Sequence, residues 1–356
     1  MRLKDYAKLP LAWLFGHKKR HPDFDFQQVE SVLIRPFGDA IGDAVIHAAY
    51  IRQLRVIYPQ AKIGIFVNSR NRLIFEMVSE LNEMIEDTAK SYLQQRRRWQ
   101  LFLDFSFNFN SSTLILDKIL SPQATVIFAK EEKSAYNLTT ISNFDFHCPP
   151  PENCHTIDYL KQSVLADYFD IPTGKCELTF VENSTNHESF WQKEKIRILL
   201  SPTGSGRSIL AKELKRLLDA IQPQLLPQID LLLSYTPNVE HYLYDLTQPT
   251  TNVSVRQSSK TSLSEYLTLI TSADIIIAVD SGTIHLACAA QKPLLGFYAN
   301  NLRNLQRWRM LPHENIPTLA VIATKQDDSN NSTYGFDLTE SQSWLNQQIQ
   351  SLLAQK

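Results

Sequence analysis

Apolar and polar positions divide the chain into two series in which short apolar runs alternate with longer amphipathic ones. In the first, SVLI (31–34) predicts a strand and RPFGDAIGD a loop. AVIHAAYIRQLRVIY then predicts a helix, with Val45, Ala48, Ala49, Leu54 and Ile57 at helical spacing and a stop at Pro59. KIGIFV is the next strand, NRLIFEMVSELNEMI the next helix, and LFLDFSF and ATVIFA are further strands. TIDYLKQSVLADYF reads as a helix ending near Pro172. The second series starts at Lys195 with strand IRILLS, loop PTGSGRS, helix ILAKELKRLLDAI and strand IDLLLS. Loop YTPN, helices VEHYLYDLT and SLSEYLTLIT, strand DIIIAV, loop DSG, helix TIHLACAA and strand LLGFY follow. SQSWLNQQIQSLLAQ is a last amphipathic helix. This alternation predicts an α/β protein with two doubly wound parallel sheets and a boundary around residues 170–195. Ligands of such sheets bind beyond the carboxyl ends of the strands. Two such domains facing one another would put the site in the cleft between them.

Composition narrows this picture. Of 356 residues, 36 are Lys or Arg and 37 Asp or Glu, a net charge of −1. That balance argues against a dedicated nucleic-acid binder. No run approaches the ~18 apolar residues of a membrane-spanning helix. Four cysteines do not make a disulfide scaffold, so a reducing, cytoplasmic compartment is expected. Residues 1–25 are basic and carry Trp13 and Phe15. They could lie on an anionic membrane surface, at the inner face of the cytoplasmic membrane, or pack on the domain as a plain helix. Glycine is scarce: 10 in all, about 3% against a usual ~7%. Five of the ten (Gly38, Gly42, Gly204, Gly206, Gly282) fall in three loops that follow an apolar run and precede a helix. There, glycine lets a backbone approach a phosphate or a sugar.

Those three loops carry the candidate chemistry. In DIIIAVDSGTIHLACAA, Asp280 ends a strand, Ser281, Gly282 and Thr283 make the turn, and His285 sits in the first helical turn. The helix N-terminus is suited to a phosphate; helix capping by Asp280 or Ser281 is the plainer alternative. In SPTGSGRS, Thr203, Gly204, Arg207 and Ser208 suggest phosphate contact, with Arg207 as a fork for a diphosphate. Neither the P-loop nor the G-x-G-x-x-G pattern fits. In IRPFGDAIGDAVIH, Asp39 and Asp43 lie at the mouth of the first strand, and Asp43 at the helix start could be a cap or a general base.

Taken together, LIRPFGDAIGDAVIH…YP, SPTGSGRS and DSGTIHLACAAQKPLLGFY resemble glycosyltransferase family 9, the ADP-heptose:lipopolysaccharide heptosyltransferases, over roughly residues 31–300. The resemblance implies a GT-B fold, two Rossmann-like domains facing a cleft. Residues 1–175 would form the acceptor-binding domain and 176–335 the donor-binding domain, with 336–356 a C-terminal helix free to pack back on the first. It implies an inverting transferase with no cofactor and no catalytic metal. Asp43 matches the catalytic base. Thr203, Gly204, Arg207 and Ser208 match the donor phosphate loop. Asp280, Ser281, Gly282 and His285 match the diphosphate and sugar contacts, and Glu240 is a looser match to the acid on the ribose. Asp39 and Arg35 are weaker acceptor-side candidates. The donor loop lacks the family's usual lysine, so Arg207 must substitute for it.

Other signals are weaker. HCPPPENCH (147–155) has two Cys and two His, but its spacing does not match a zinc site, and a stiff linker is expected. Arg96–Trp99 and Arg303–Arg309 are basic-aromatic clusters, ordinarily solvated, to which an anionic glycolipid acceptor would give a use. The reading is a cytoplasmic enzyme moving heptose from ADP-heptose to a lipopolysaccharide inner-core acceptor. The alternatives are another nucleotide sugar, a protein or oligosaccharide acceptor, or a nucleotide-sugar-binding protein without catalysis.

Overall fold

The computed structural model describes residues 9–133, 136–180, 189–204, 206–248, 253–329 and 333–356. The first eight residues of the basic N-terminal segment and Ser205 of the SPTGSGRS loop lie outside the described residues. The chain divides into two units, residues 1–174 and 175–356.

The first unit contains α1 (Leu9–Phe15), β1 (Ser31–Arg35), α2 (Ile41–Ile57), β2 (Lys62–Val67), α3 (Arg72–Phe75) and β3 (Glu83–Glu86). It continues with α4 (Ala89–Gln94), β4 (Leu101–Asp104), α5 (Ser111–Leu120), β5 (Ala124–Ile127) and β6 (Phe146–His147). Every strand pairing is parallel, in the order β3-β2-β1-β4-β5-β6. Strand order reverses between β1 and β4, where Arg35 pairs with Asp104 at the carboxyl ends. One face of the sheet is closed by Leu33, Phe66, Tyr92, Trp99, Phe102 and Leu120, with the Phe66 and Tyr92 rings stacked at 4.3 Å.

The second unit repeats the design. Its elements are β7 (Ile196–Ser201), the short hairpin β8 (Thr203–Gly204) and β9 (Arg207–Ser208), α6 (Ala211–Leu218) and β10 (Ile229–Leu233). Then come α7 (Val239–Thr247), β11 (Val255–Gln257), α8 (Leu263–Ser272), β12 (Ile275–Val279) and α9 (Gly282–Ala289). β13 (Leu294–Asn300), α10 (Leu302–Trp308), β14 (Thr318–Gln326) and α11 (Thr339–Ala354) complete it. The main sheet runs β11-β10-β7-β12-β13-β14, again parallel, and reverses between β7 and β12. β10 and β12 are buried along their whole length, as expected for strands covered by helices on both faces. The C-terminal helix α11 buries Leu345 and Ile349 in the core of this same unit.

The structure departs from the sequence reading where long-range pairing overrides local pattern. NRLIFEMVSELNEMI gives one helical turn and then strand β3. There the Asn82 N–H donates to the Ile63 carbonyl at 2.9 Å, and the Ile63 N–H donates to the Asn82 side chain at 2.8 Å, which starts the parallel pairing with β2. TIDYLKQSVLADYF is two 3₁₀ segments, Thr156–Gln162 and Val164–Asp167. Ser163 separates them: its hydroxyl donates to the Leu160 carbonyl and accepts from the Leu165 N–H. Trp99 is a core residue carrying Lys62 over its ring, not part of a surface cluster.

Candidate functional site

In doubly wound sheets a ligand crevice opens at the carboxyl ends of the strands where strand order reverses. The glycine loops of each unit lie at that point.

In the second unit the structure brings two of the loops together. A Cβ at Gly204 would meet the Ser281 Cβ at 2.7 Å and the Asp280 carbonyl at 3.3 Å, so glycine is what lets the β8–β9 hairpin press on the Asp280–Ser281 turn. Arg207 reaches across, its Nη1 donating to Asp280 Oδ2 at 2.5 Å. Asn304 Nδ2 donates to the same oxygen at 2.7 Å. Asp280 is 4% exposed; burial raises its pKa above the ordinary carboxylate value, and Arg207 and Asn304 offset this only in part. Ser208 is tied from below, its carbonyl accepting from the Thr333 hydroxyl. Ser281 stands at the N-cap of α9 in extended conformation but makes no capping bond. Its buried Oγ has no hydrogen-bond partner among the described residues. A free hydroxyl beside the first N–H groups of Gly282 and its neighbours is a ready receptor for an oxyanion. Beneath them, Tyr266 bonds Thr283 at 2.6 Å and Ser201 at 3.1 Å, joining the end of β7 to the first turn of α9. His285 is buried, edge-on to Trp308 with ring centres 6.2 Å apart. Glu240 is exposed in the first turn of α7, after β10.

In the first unit, α2 begins at Ile41, three residues before the predicted start, with Ala40 as its N-cap. Asp43 therefore lies inside the first turn and is not the cap. A Cβ at Gly38 would run into the Asp43 carboxylate, so this carboxylate rests against the loop backbone. Burial raises the Asp43 pKa to about 6; the Ala40 N–H lowers it and Asp39 adds to the rise. Desolvation thus outweighs the preference of a helix N-terminus for a carboxylate. Asp39 is 49% exposed and paired with Arg70 at 3.0 Å. Arg35, an acceptor-side candidate in the sequence, is buried. It contacts Asp104 at 3.2 Å and Asp117 at 2.5 Å, and its Nε donates to the Tyr92 hydroxyl at 3.1 Å. Lys130 pairs with Asp104 at 2.7 Å. Burial would raise Asp104, but Lys130 and Arg35 outweigh it and hold this carboxyl below its ordinary value. The network ties the ends of β1 and β4 together.

The Gly38 contact gives a test. Gly38→Ala is expected to displace the Asp43 carboxylate and to destabilise the protein by about 1–3 kcal/mol through overpacking, measured by thermal melting. An unchanged melting temperature and an unchanged Asp43 titration would contradict the close approach.

The Cys and His of HCPPPENCH serve local structure. His147 pairs with Ile127 in β6, Cys148 Sγ accepts from the Val164 N–H, and His155 Nδ1 caps the following 3₁₀ turn. Among the described residues no group of three or more His, Cys, Asp or Glu is placed to hold a metal ion. Sequence reading missed Asn304 and Tyr266, which stand about twenty residues from the loops they support.

Residues 161–329 match the family model of glycosyltransferase family 9 (heptosyltransferase). No curated protein matches the sequence. Among solved structures, E. coli ADP-heptose lps heptosyltransferase II is 17% identical with a TM-score of 0.68, covering 91% of this chain and 99% of that one. A family 9 glycosyl transferase from Veillonella parvula is 11% identical with a TM-score of 0.69, covering 90% and 97%. E. coli heptosyltransferase WaaC, solved with ADP, is 12% identical with a TM-score of 0.63, covering 89% and 99%. At these identities the likeness is one of fold. Residues 161–329 thus match the glycosyltransferase family 9 (heptosyltransferase) model, and the whole chain shares with these solved structures an α/β fold, here built on two six-stranded parallel sheets.

Proposed function

We propose that this protein is an inverting glycosyltransferase that moves a heptose from ADP-heptose to a lipopolysaccharide inner-core acceptor. The observation that supports the reading is the grouping at the β7/β12 switch point of Arg207 held by Asp280, the unpartnered Ser281 hydroxyl and the N-terminus of α9, a set suited to an anion and lying within the residues that match the heptosyltransferase family model. In this reading the second unit holds the donor diphosphate. Thr203, Gly204, Arg207, Ser208, Ser281 and Gly282 would contact it, and Glu240, exposed in the first turn of α7, would bind the ribose. Asp280 orients Arg207; its own carboxylate is buried, and direct contact with a diphosphate would set like charges together.

Asp43 acts as general base. It takes the proton of an acceptor hydroxyl while that oxygen bonds to the anomeric carbon. The bond from that carbon to the diphosphate breaks with its electron pair leaving on the diphosphate oxygen. Arg207 and the N–H groups of α9 stabilise the developing charge, commonly the largest catalytic contribution. Since these groups supply the positive charge, transfer is expected to survive EDTA; activity lost on chelation and restored by Mg²⁺ or Mn²⁺ would overturn this point. The test of the whole reading is an assay of purified protein against a panel of nucleotide sugars and truncated lipopolysaccharide acceptors. Turnover with ADP-heptose is the expected result, and ADP binding without turnover of any donor would favour a binding protein.

A lipid-linked acceptor also gives α1 a role. Trp13 is 73% exposed beside exposed Leu9 and Leu14, with exposed Lys19 and Arg20 following, while Ala12 and Phe15 pack on the unit. Binding to phosphatidylglycerol vesicles is expected, and Trp13→Ser with Leu14→Ser should abolish it. Equal sedimentation with and without vesicles would remove this role.

A further inference from the structure

His47 lies four residues after Asp43 in α2, on the same face one turn further along. Its ring is 0% exposed. The backbone N–H of Phe37 donates to His47 Nε2 at 3.1 Å, and the two rings lie 4.4 Å apart. Phe37 immediately precedes Gly38, whose backbone faces the Asp43 carboxylate. An Nε2 that accepts a hydrogen bond carries no proton, so the proton of this neutral imidazole is on Nδ1. Burial alone holds the His47 pKa down at about 3. The accepting form therefore persists throughout the range in which Asp43 titrates. Tyr50 and Phe105 meet the ring edge-on at 5.1 and 5.2 Å. Nδ1 is buried with no hydrogen-bond partner among the described residues. An unsatisfied buried donor costs stability, a cost that Leu or Met would avoid if the position needed only to be filled.

We propose that His47 is a positioning residue for Asp43: by accepting the Phe37 N–H it clamps the 36–39 loop onto α2, which keeps Gly38 against the carboxylate and water away from it. The inference rests on the reading of Asp43 as the base. Desolvation is the largest cause of the Asp43 shift, so the clamp and the basicity are linked. The charged group acting on Asp43 is Asp39 of the same loop, itself paired with Arg70.

The test compares His47→Leu with His47→Gln, whose side-chain oxygen can still accept the Phe37 N–H. His47→Leu is expected to lower kcat about 10- to 100-fold through misplacement of the base, with donor KM unchanged. The Asp43 carboxyl, followed by carbon-13 NMR, should titrate near the ordinary ~4 instead of about 6. His47→Gln should retain most of both. A Leu variant that keeps the rate and the titration, or a Gln variant as impaired as Leu, overturns the proposal. Should His47→Leu fail to fold, amide exchange of the unmodified protein decides: the Phe37 N–H must be protected, and exchange at an exposed-loop rate sinks the clamp. If Asp43→Asn transfers normally, the base assignment fails, and the NMR titration still reads the clamp by itself.

Discussion

Asp43→Asn is expected to lower kcat by about 10²–10⁴-fold, the usual contribution of a general base. Donor affinity and melting temperature should change little. The carboxylate is not the N-cap of α2, so no cap is lost, and the Asn side-chain oxygen can still face the Ala40 N–H. What Asn cannot do is take a proton. With its pKa raised to about 6 by burial, Asp43 is mostly ionised at neutral pH yet close enough to it to be an effective acceptor. The sign of the pH dependence follows. The base works as the carboxylate, so kcat/KM should rise with pH through about 6 and fall away below it as the carboxylate takes up a proton. That limb should be missing from whatever residual activity Asp43→Asn retains. Asp39→Asn should cost far less, because Asp39 is 49% exposed and already occupied by Arg70 at 3.0 Å. If Asp39→Asn is the inactive variant and Asp43→Asn turns over normally, the base is misassigned.

Arg207→Ala should weaken ADP binding roughly ten- to a hundredfold, the loss of a charge-assisted contact worth about 1.5–3 kcal/mol. It should also destabilise the protein, because Asp280 is 4% exposed and would keep Asn304 alone of the two partners at its Oδ2. Leaving a buried acceptor short of a partner costs about 1–3 kcal/mol, and the 22% exposure of the Arg207 side chain argues for the lower end. The two effects separate experimentally: calorimetry reads the affinity and thermal melting the stability. Gly282→Val, in the first turn of α9, should weaken ADP binding without touching the ion pair. Unchanged affinity in both variants would remove the hairpin and the α9 turn from the donor site, whatever the melting curves show.

Much of the site is written locally in the chain. A sequence sparing with glycine places Gly38, Gly204 and Gly282 where the structure shows close backbone approach or a helix start, and the strands before them are continuous apolar runs. Such runs can be read because a parallel strand buried on both faces has no polar alternation to obscure it. The two Gly-Asp pairs, the β8–β9 hairpin and the D-S-G-T turn are contiguous segments, and the chemistry open to each follows from its own few residues.

The rest depends on partners far away in the chain. β3 sits inside a helical pattern because pairing with β2 overrides local periodicity, and short strands such as β6 and β11 have too few residues to signal themselves. Arg35 reads as a cation at a strand mouth, but Asp104 and Asp117, about seventy and eighty residues on, decide that it is a buried structural charge. The preference of a helix N-terminus for a carboxylate is visible in the sequence; the desolvation that raises Asp43 to about 6 is not, because it depends on a loop folding back over the side chain. His47 carries no sequence signal beyond its spacing from Asp43, and its Phe37 contact exists only once α2 starts at Ile41 and the 36–39 loop closes on it. Backbone freedom and residue type, both legible locally in the chain, mark which residues could do chemistry. Which of these are buried, paired and shifted depends on the fold, because dielectric and counter-charge come from the neighbours that folding supplies.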